Sequence, residues 1–270
     1  MRFELHCHSC QSDGVEPPEA VATRAKDRSV DVFAITDHDR CTPAEASGLY
    51  CLTGVEISCD EPTTGRTIHV LAYQRPQGSV ADWSALESTL AQLREARRNR
   101  LRTMAAKLEQ RGIRIDVEPL LEQARGRSVG RPDLARAMIA AGHATSLKDA
   151  FARHLFDGGP VDVPHRALDL SDALAMGQAA GAAMSLAHPH LYDRLSIQLL
   201  RAHKADGLTG VEAYYAAYDP RERARWIAIA DELDLVCTGG SDSHDPTTPL
   251  GVDLPPDRSA RLIAWLNNDA

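Results

Sequence analysis

The chain opens on a short alternation, Phe3 and Leu5 between polar neighbours, that reads as a strand running into His6-Cys7-His8-Ser9-Cys10-Gln11-Ser12-Asp13-Gly14. Pro17 and Pro18 then start a helix over 19–27, with Ala20, Val21 and Ala25 as its packing stripe. Apolar runs at 32–36, 52–58 and 67–73 read as buried strands; Asp37-His38-Asp39 follows the first, Glu56 lies inside the second and His69 inside the third. Buried strands seldom tolerate Glu or His without partners, and a metal ion would satisfy both. From about residue 74 the period changes, and Leu86, Leu90, Leu93, Leu101, Met104 and Leu108 recur at helical spacing over 83–110, up to Gly112. Shorter helices are predicted at 118–124, 132–141 and 146–154, ahead of the Gly158-Gly159-Pro160 break. Beyond it come a helix at 171–180, a strand at 182–187 ending in His188-Pro189-His190, a helix at 195–205, a strand at 209–213, a helix at 220–233 and a strand at 235–238. That last strand enters Gly239-Gly240-Ser241-Asp242-Ser243-His244.

Strands alternating with helices predict an α/β fold, a mostly parallel sheet closed or nearly closed, with active residues at the carboxyl ends of the strands. The helical stretch breaks that rhythm and reads as an insertion. The expected division is a barrel from 1–75 and 165–270, and a helical insertion at 76–164 that covers the active site.

Composition narrows the partners. The chain has 270 residues, 43% hydrophobic and 25% charged, enough to bury a sizeable core. No apolar run reaches the length of a membrane span, and the polar start around Arg2 and Glu4 lacks a signal peptide's hydrophobic centre, so a cytoplasmic protein without membrane contact is expected. The formal charge of -8 opposes duplex DNA, although a local basic patch or bound cations could receive a small anionic substrate or an RNA end. The six cysteines are scattered through a chain too large to need staples, which points to a reduced compartment. Cys7-x-x-Cys10 lacks the surroundings of a redox pair, and Cys7 is expected to face away from His6 and His8.

Those two imidazoles, two residues apart on an extended segment, point to one side and can share an ion, with Asp13 reaching a neighbouring one. His6, His8, Asp13, His38, Glu56, His69, His188, Asp242 and His244 come from separate strand ends, as a multinuclear site in a barrel mouth requires. A mixed shell of imidazole and carboxylate suits Zn, Mn or Fe better than Mg or Ca.

In His6-Cys7-His8 with Ser12-Asp13-Gly14, Thr36-Asp37-His38, Gly54-Val55-Glu56-Ile57-Ser58, His69, Ala187-His188-Pro189 and Gly240-Ser241-Asp242-Ser243-His244, the chain resembles the PHP family, the polymerase and histidinol phosphatase superfamily of metal-dependent phosphoesterases. The segment between His69 and His188 resembles the insertion of the branch with nucleoside 3',5'-bisphosphate phosphatases and 5'-3' exoribonucleases. The resemblance implies a distorted TIM-like (β/α)7 barrel and two or three divalent ions. It assigns His6, His8, Glu56 and Asp242 to a first metal, Glu56 as a bridge to a second held also by His69 and His188, and Asp13, His38 and His244 to a third. Asp13, His38, Glu56, Asp242 and His244 are the catalytic candidates, in hydrolysis of a small nucleotide-like phosphomonoester or a short RNA 5' end by metal-activated hydroxide.

Substrate contacts are expected from Arg131, which the resemblance places on a phosphate, from His165 where the chain re-enters the barrel, and from His190. Arg94, Arg97, Arg98, Arg100 and Arg102 spread around one helix as a solvated face would. Tyr214, Tyr215 and Tyr218 could stack on a base or pack the barrel rim. Asp133, His190 and Leu191 depart from the branch's pattern, and Asp133 near a phosphate would repel it unless turned away or bound to a cation. The alternatives are a metal-dependent amide or lactone hydrolase and a metal-binding regulatory module without turnover.

Overall fold

The computed structural model describes residues 1–76, 80–164 and 167–268. In chain order these form β1 (Arg2–Glu4), α1 (Pro18–Asp27), β2 (Val32–Ile35), β3 (Tyr50–Glu61), β4 (Arg66–Tyr73), α2 (Val80–Glu109), α3 (Glu118–Gln123), α4 (Arg131–Ala140) and α5 (Leu147–Ala150), which continues as a π-helix over Phe151–Leu155. There follow β5 (Leu168–Asp169), α6 (Leu170–Ala179), β6 (Ala183–Leu186), a 3-10 turn (Pro189–Leu191), α7 (Arg194–His203), β7 (Leu208–Tyr215), α8 (Pro220–Glu232), β8 (Val236–Gly240), β9 (Val252–Asp253) and α9 (Pro256–Asn267).

The strands pair in the order β8-β7-β6-β4-β3-β2-β1-β9, with β5 on β3. Past the end of β1, the Leu5 amide donates to the Gly239 carbonyl at 3.1 Å and the Asp242 amide to the His6 carbonyl at 2.7 Å. These bonds bring β8 round to β1 and close a barrel, while β9 lies antiparallel along the start of β1. Phe3, Leu5, Val55, Ile57, Val70 and Leu71 are fully buried in its main apolar cluster.

The sheet is mostly parallel as expected, with β4 and β9 running against it. β4 is antiparallel to both β3 and β6. Its link to β3 is residues 62–65, with Gly65 at φ +67°, and a parallel crossover needs about a dozen residues or more. No helix separates β2 from β3, and β5, β9 and α9 were not anticipated; a two-residue strand carries no alternation to read.

The thirty-residue α2 spans about 45 Å at 1.5 Å per residue. Its first half, with Leu86, Leu90 and Leu93, packs into the barrel's apolar cluster. Its second half, with Leu101, Met104 and Leu108, joins Leu121, Leu134, Met138 and Leu155 in a second cluster. The arginines between them are not a solvated face. Arg94 donates to the Asp39 carbonyl at 2.7 Å, Arg98 to the Leu121 carbonyl at 2.8 Å and Arg100 to the Val163 carbonyl at 2.6 Å. Only Arg102 of the five turns outward, to the exposed Glu118. Among the described residues no helix is long and apolar enough to cross a membrane.

Candidate active site

Strand length and direction bring the nine ligand-type side chains to one end of the barrel. β2 stops where Ile35 faces Thr53, but β3 runs on, so Glu56 lies over the end of β2 in a bridge with His38. On the reversed β4, His69 pairs with Ser58 of β3. Glu56 and His69 therefore sit inside strands, as the apolar runs around them indicate, yet at the level where His6 and His8 leave β1, His188 leaves β6 and Asp242 leaves β8.

Glu56 is the hub. Its Oε1 lies 2.9 Å from His69 Nδ1, 2.9 Å from His188 Nε2 and 3.5 Å from His6 Nε2, and its Oε2 lies 3.0 Å from His38 Nδ1 and 3.3 Å from His8 Nε2. Asp242 Oδ1 is 3.4 Å from His6 Nε2 and 3.2 Å from His8 Nε2, and Asp13 faces His244 Nε2 at 3.3 Å and His38 Nε2 at 3.7 Å. Four overlapping groups have donor atoms close enough to share an ion: His8, Asp13, His38 and His244; His6, Glu56 and His188; His6, His8 and Asp242; and His38, Glu56 and His69. His38 thus belongs with Glu56 as well as with Asp13.

Many of these short approaches are not hydrogen bonds. His6 Nε2, His8 Nε2, His38 Nδ1 and Glu56 Oε2 are buried without a hydrogen-bond partner among the described residues. Orphaned buried polar atoms are costly, and four aimed at one another are suited to binding cations. The donor set fits divalent transition ions.

Electrostatics carries the same signature. Burial opposes charge on His6 and His8, but Glu212, Asp242 and Glu56 raise His6 well above the usual imidazole value, and Asp242, Glu56 and Asp13 hold His8 up to about 10. Burial, assisted by the His8 and His69 charges, pushes His38 down to about 3. Burial disfavours ionised Glu56 and Asp13, yet the neighbouring histidines depress both well below the carboxylate range. Protons on imidazole thus occupy the place of cations between the carboxylates.

Several residues position the cluster. Glu212 is fully buried; its Oε1 accepts from His6 Nδ1 at 2.9 Å and its Oε2 from the His188 amide at 2.7 Å. This fixes the His6 tautomer with Nε2 free for an ion. Glu4 accepts from the amides of His6, Ser241 and Gly251, tying the ends of β1 and β8 together. Gly240 is required there, because a Cβ would sit 2.5 Å from the His6 nitrogen. Asp37 takes bonds from the Ser9, Ser12 and Thr42 hydroxyls and shapes the loop carrying Asp13. His188 and Asp242 have positive φ, +26° and +53°. Such backbone strain costs on the order of 1–3 kcal/mol and collects at functional sites.

Asp39, also at φ +50°, accepts from the Ser58 amide at 2.8 Å and from Arg97 Nε at 2.6 Å. Arg97 further donates to Ser58 Oγ at 2.7 Å, and both partners are buried. Arg97→Ala removes the guanidinium that faces the buried Asp39 carboxylate, so unfolding in denaturant is expected to show a loss of roughly 3–5 kcal/mol.

Arg131 donates to the Leu155 carbonyl and Asp157, with its guanidinium over the Phe151 ring. Asp133 is buried, caps Gly130 and pairs with Arg127 at 2.6 Å, so a guanidinium meets its charge. Arg127 and Arg136 in turn hold the carbonyls of Ser12 and Asp13, docking α4 on the metal loop. His190 lies at the mouth against Tyr215 and Tyr218, whereas Tyr214 is buried beneath Arg223. Leu191 is exposed and His165 lies outside the described residues. Cys7 faces the apolar side, its Sγ toward the Ala34 carbonyl, and all six cysteines are free.

No protein-family model matches the sequence. Three relatives align over most of the chain. A 3',5'-nucleoside bisphosphate phosphatase of Chromobacterium violaceum is 32% identical over 90% of this chain and 87% of its own length. The 5'-3' exoribonuclease Rnm of Salmonella typhimurium is 31% identical over 90% and 85%. A phosphoribosyl 1,2-cyclic phosphate 1,2-diphosphodiesterase of Eggerthella lenta is 30% identical over 89% and 93%. The structure of a protein from Bifidobacterium adolescentis described as a metal-dependent phosphoesterase superimposes with a TM-score of 0.79 at 29% identity, over 97% of this chain and 96% of that one.

Proposed function

As a member of the PHP family of metal-dependent phosphoesterases, the chain is a phosphoric ester hydrolase, and we propose that its substrate is a nucleotide-like phosphomonoester or the 5' end of a short RNA. The observation that carries this reading is the convergence of six imidazoles and three carboxylates around Glu56, with buried donor atoms left unpaired.

His6, His8, Glu56 and Asp242 would hold one ion, Glu56, His69 and His188 a second, and Asp13, His38 and His244 a third, with Mn, Zn or Fe the suitable metals. Bound ions supply Lewis acidity, acidifying a water molecule toward neutral pH and offsetting charge on phosphoryl oxygens. The chain's own residues set the geometry. Glu212 turns His6 Nε2 inward, Glu4 and Gly240 lock β1 against β8, and the Asp37 network fixes the loop of Asp13. From the helical segment, Arg127 and Arg136 restrain this loop through the Ser12 and Asp13 carbonyls.

Because neighbouring carboxylates raise His6 and His8 above the usual imidazole value when no ion is bound, metal uptake is expected to displace protons. Lower pH strengthens the competitor, so metal affinity is expected to fall as pH falls. Calorimetry of metal binding in buffers of differing ionisation enthalpy measures the proton release directly.

The activity is tested on a panel of phosphate esters, including a nucleoside 3',5'-bisphosphate and a 5'-phosphorylated RNA, with added Mn, Zn or Fe. Turnover that Asp242→Asn abolishes in a folded protein is the expected result. Cleavage of amides or lactones with no phosphate ester turned over would replace this reading.

A further inference from the structure

Beside the nine ligand-type residues lies a wall of three rings that the hydrolysis of a phosphate group does not by itself require. His190 stands two residues after His188, with ring centroids 6.5 Å apart. It packs at 5.1 Å on both Tyr215 and Tyr218, which lie 5.2 Å from each other. Tyr215 links the wall to the cluster, because its hydroxyl donates to Asp242 Oδ2 at 3.1 Å.

Hydrogen bonding fixes which way round the His190 imidazole works. Tyr218 Oη accepts the His190 amide proton at 3.3 Å and lies 3.0 Å from His190 Nδ1. A phenol has one proton to give, and among the described residues no acceptor other than Nδ1 is paired with Tyr218 Oη. With the hydroxyl assigned as the donor to Nδ1, the ring's single proton lies on Nε2. Nε2 makes no hydrogen bond within the described residues, and it is not buried and orphaned as His6 Nε2 and His8 Nε2 are. The half-buried ring thus keeps one oriented N–H donor unspent beside His188.

Resting on the phosphoesterase reading, we infer that His190, oriented by Tyr218, is a specificity-determining residue that donates Nε2–H to an oxygen on the organic part of the ester. The acceptor is a sugar hydroxyl or a second phosphate, so the preferred substrate carries such an oxygen next to the scissile phosphate. A neutral donor with one N–H discriminates by the presence and place of that acceptor. Simple aryl phosphates, which lack the oxygen, gain nothing from it.

The test compares kcat and KM of metal-loaded wild-type, His190→Ala, His190→Gln and Tyr218→Phe proteins on three substrates. These are a nucleoside 3',5'-bisphosphate, a nucleoside 5'-monophosphate and p-nitrophenyl phosphate. His190→Ala is expected to raise KM for at least one nucleotide about tenfold, the scale of one hydrogen bond to an uncharged donor, and to leave p-nitrophenyl phosphate unchanged. Loss confined to the bisphosphate identifies a second phosphate as the acceptor; equal loss on both nucleotides identifies a sugar hydroxyl. His190→Gln, whose amide N–H reaches the position of Nε2–H, is expected to recover part of the loss. Independently of turnover, nitrogen NMR of the His190 ring is expected to show the Nε2–H tautomer in wild type and a mixture in Tyr218→Phe. Unchanged nucleotide KM in His190→Ala, or an equal fall on all three substrates, overturns the inference. Absence of turnover by the wild type on every ester would instead overturn the phosphoesterase reading.

Discussion

Glu56→Gln is expected to lower kcat/KM on any phosphate ester by roughly 10³-fold or more, about 4 kcal/mol of transition-state stabilisation. The carboxylate belongs to two of the four ligand groups and approaches five imidazoles, so its loss removes a donor common to neighbouring ion positions. The amide keeps the shape of the side chain but not its charge, and it brings an N–H₂ group that points a donor where a donor is not wanted. Strand β3 has no reason to rearrange, because Val55 and Ile57 on either side stay buried in the barrel cluster. The thermal transition is therefore expected to persist. Metal analysis of the purified variant, with steady-state kinetics, checks both halves.

The second large effect belongs to a residue that touches no ion position. Glu212→Ala is expected to reduce metal affinity or turnover about 10–100-fold, the range seen when a partner behind a metal ligand is removed. It frees the His6 ring to turn Nε2 out of the cluster and strips the acceptor from the His188 amide, at a site where the His188 backbone is already held at positive φ. The unpaired buried N–H groups add a loss of stability of roughly 1–3 kcal/mol. Titration with metal, followed by calorimetry, separates the two consequences. Wild-type metal affinity in Glu212→Ala would show that Glu212 is an ordinary buried carboxylate.

Much of the site was legible because imidazole and carboxylate are out of place in apolar strands unless something pairs with them. That signal marked Glu56 and His69. The same signal marks Glu212, inside the run 208–215, but it passed unused: a buried carboxylate in a strand does not reveal whether it faces an ion or the back of a ligand. Direction was the other gap. Only a few residues separate the run ending near Ser58 from the one containing His69, too few for a crossover, so the reversal of β4 could have been read from loop length. The roles of Arg97 and Asp133 could not. Arg97 meets Asp39 across 58 positions of sequence, and Asp133 meets Arg127 only because α4 begins at Arg131 and turns its first residues back. Helical spacing showed arginines around a cylinder, while tertiary packing decided that most of them donate to carbonyls.

The most direct test is turnover of a phosphate ester by protein stripped of metal with a chelator, dialysed and then reloaded, with metal content measured at each stage. A metal-dependent hydrolase loses activity as the ions leave and regains it in step with two or three divalent ions per chain. Full turnover by demonstrably metal-free protein would contradict it.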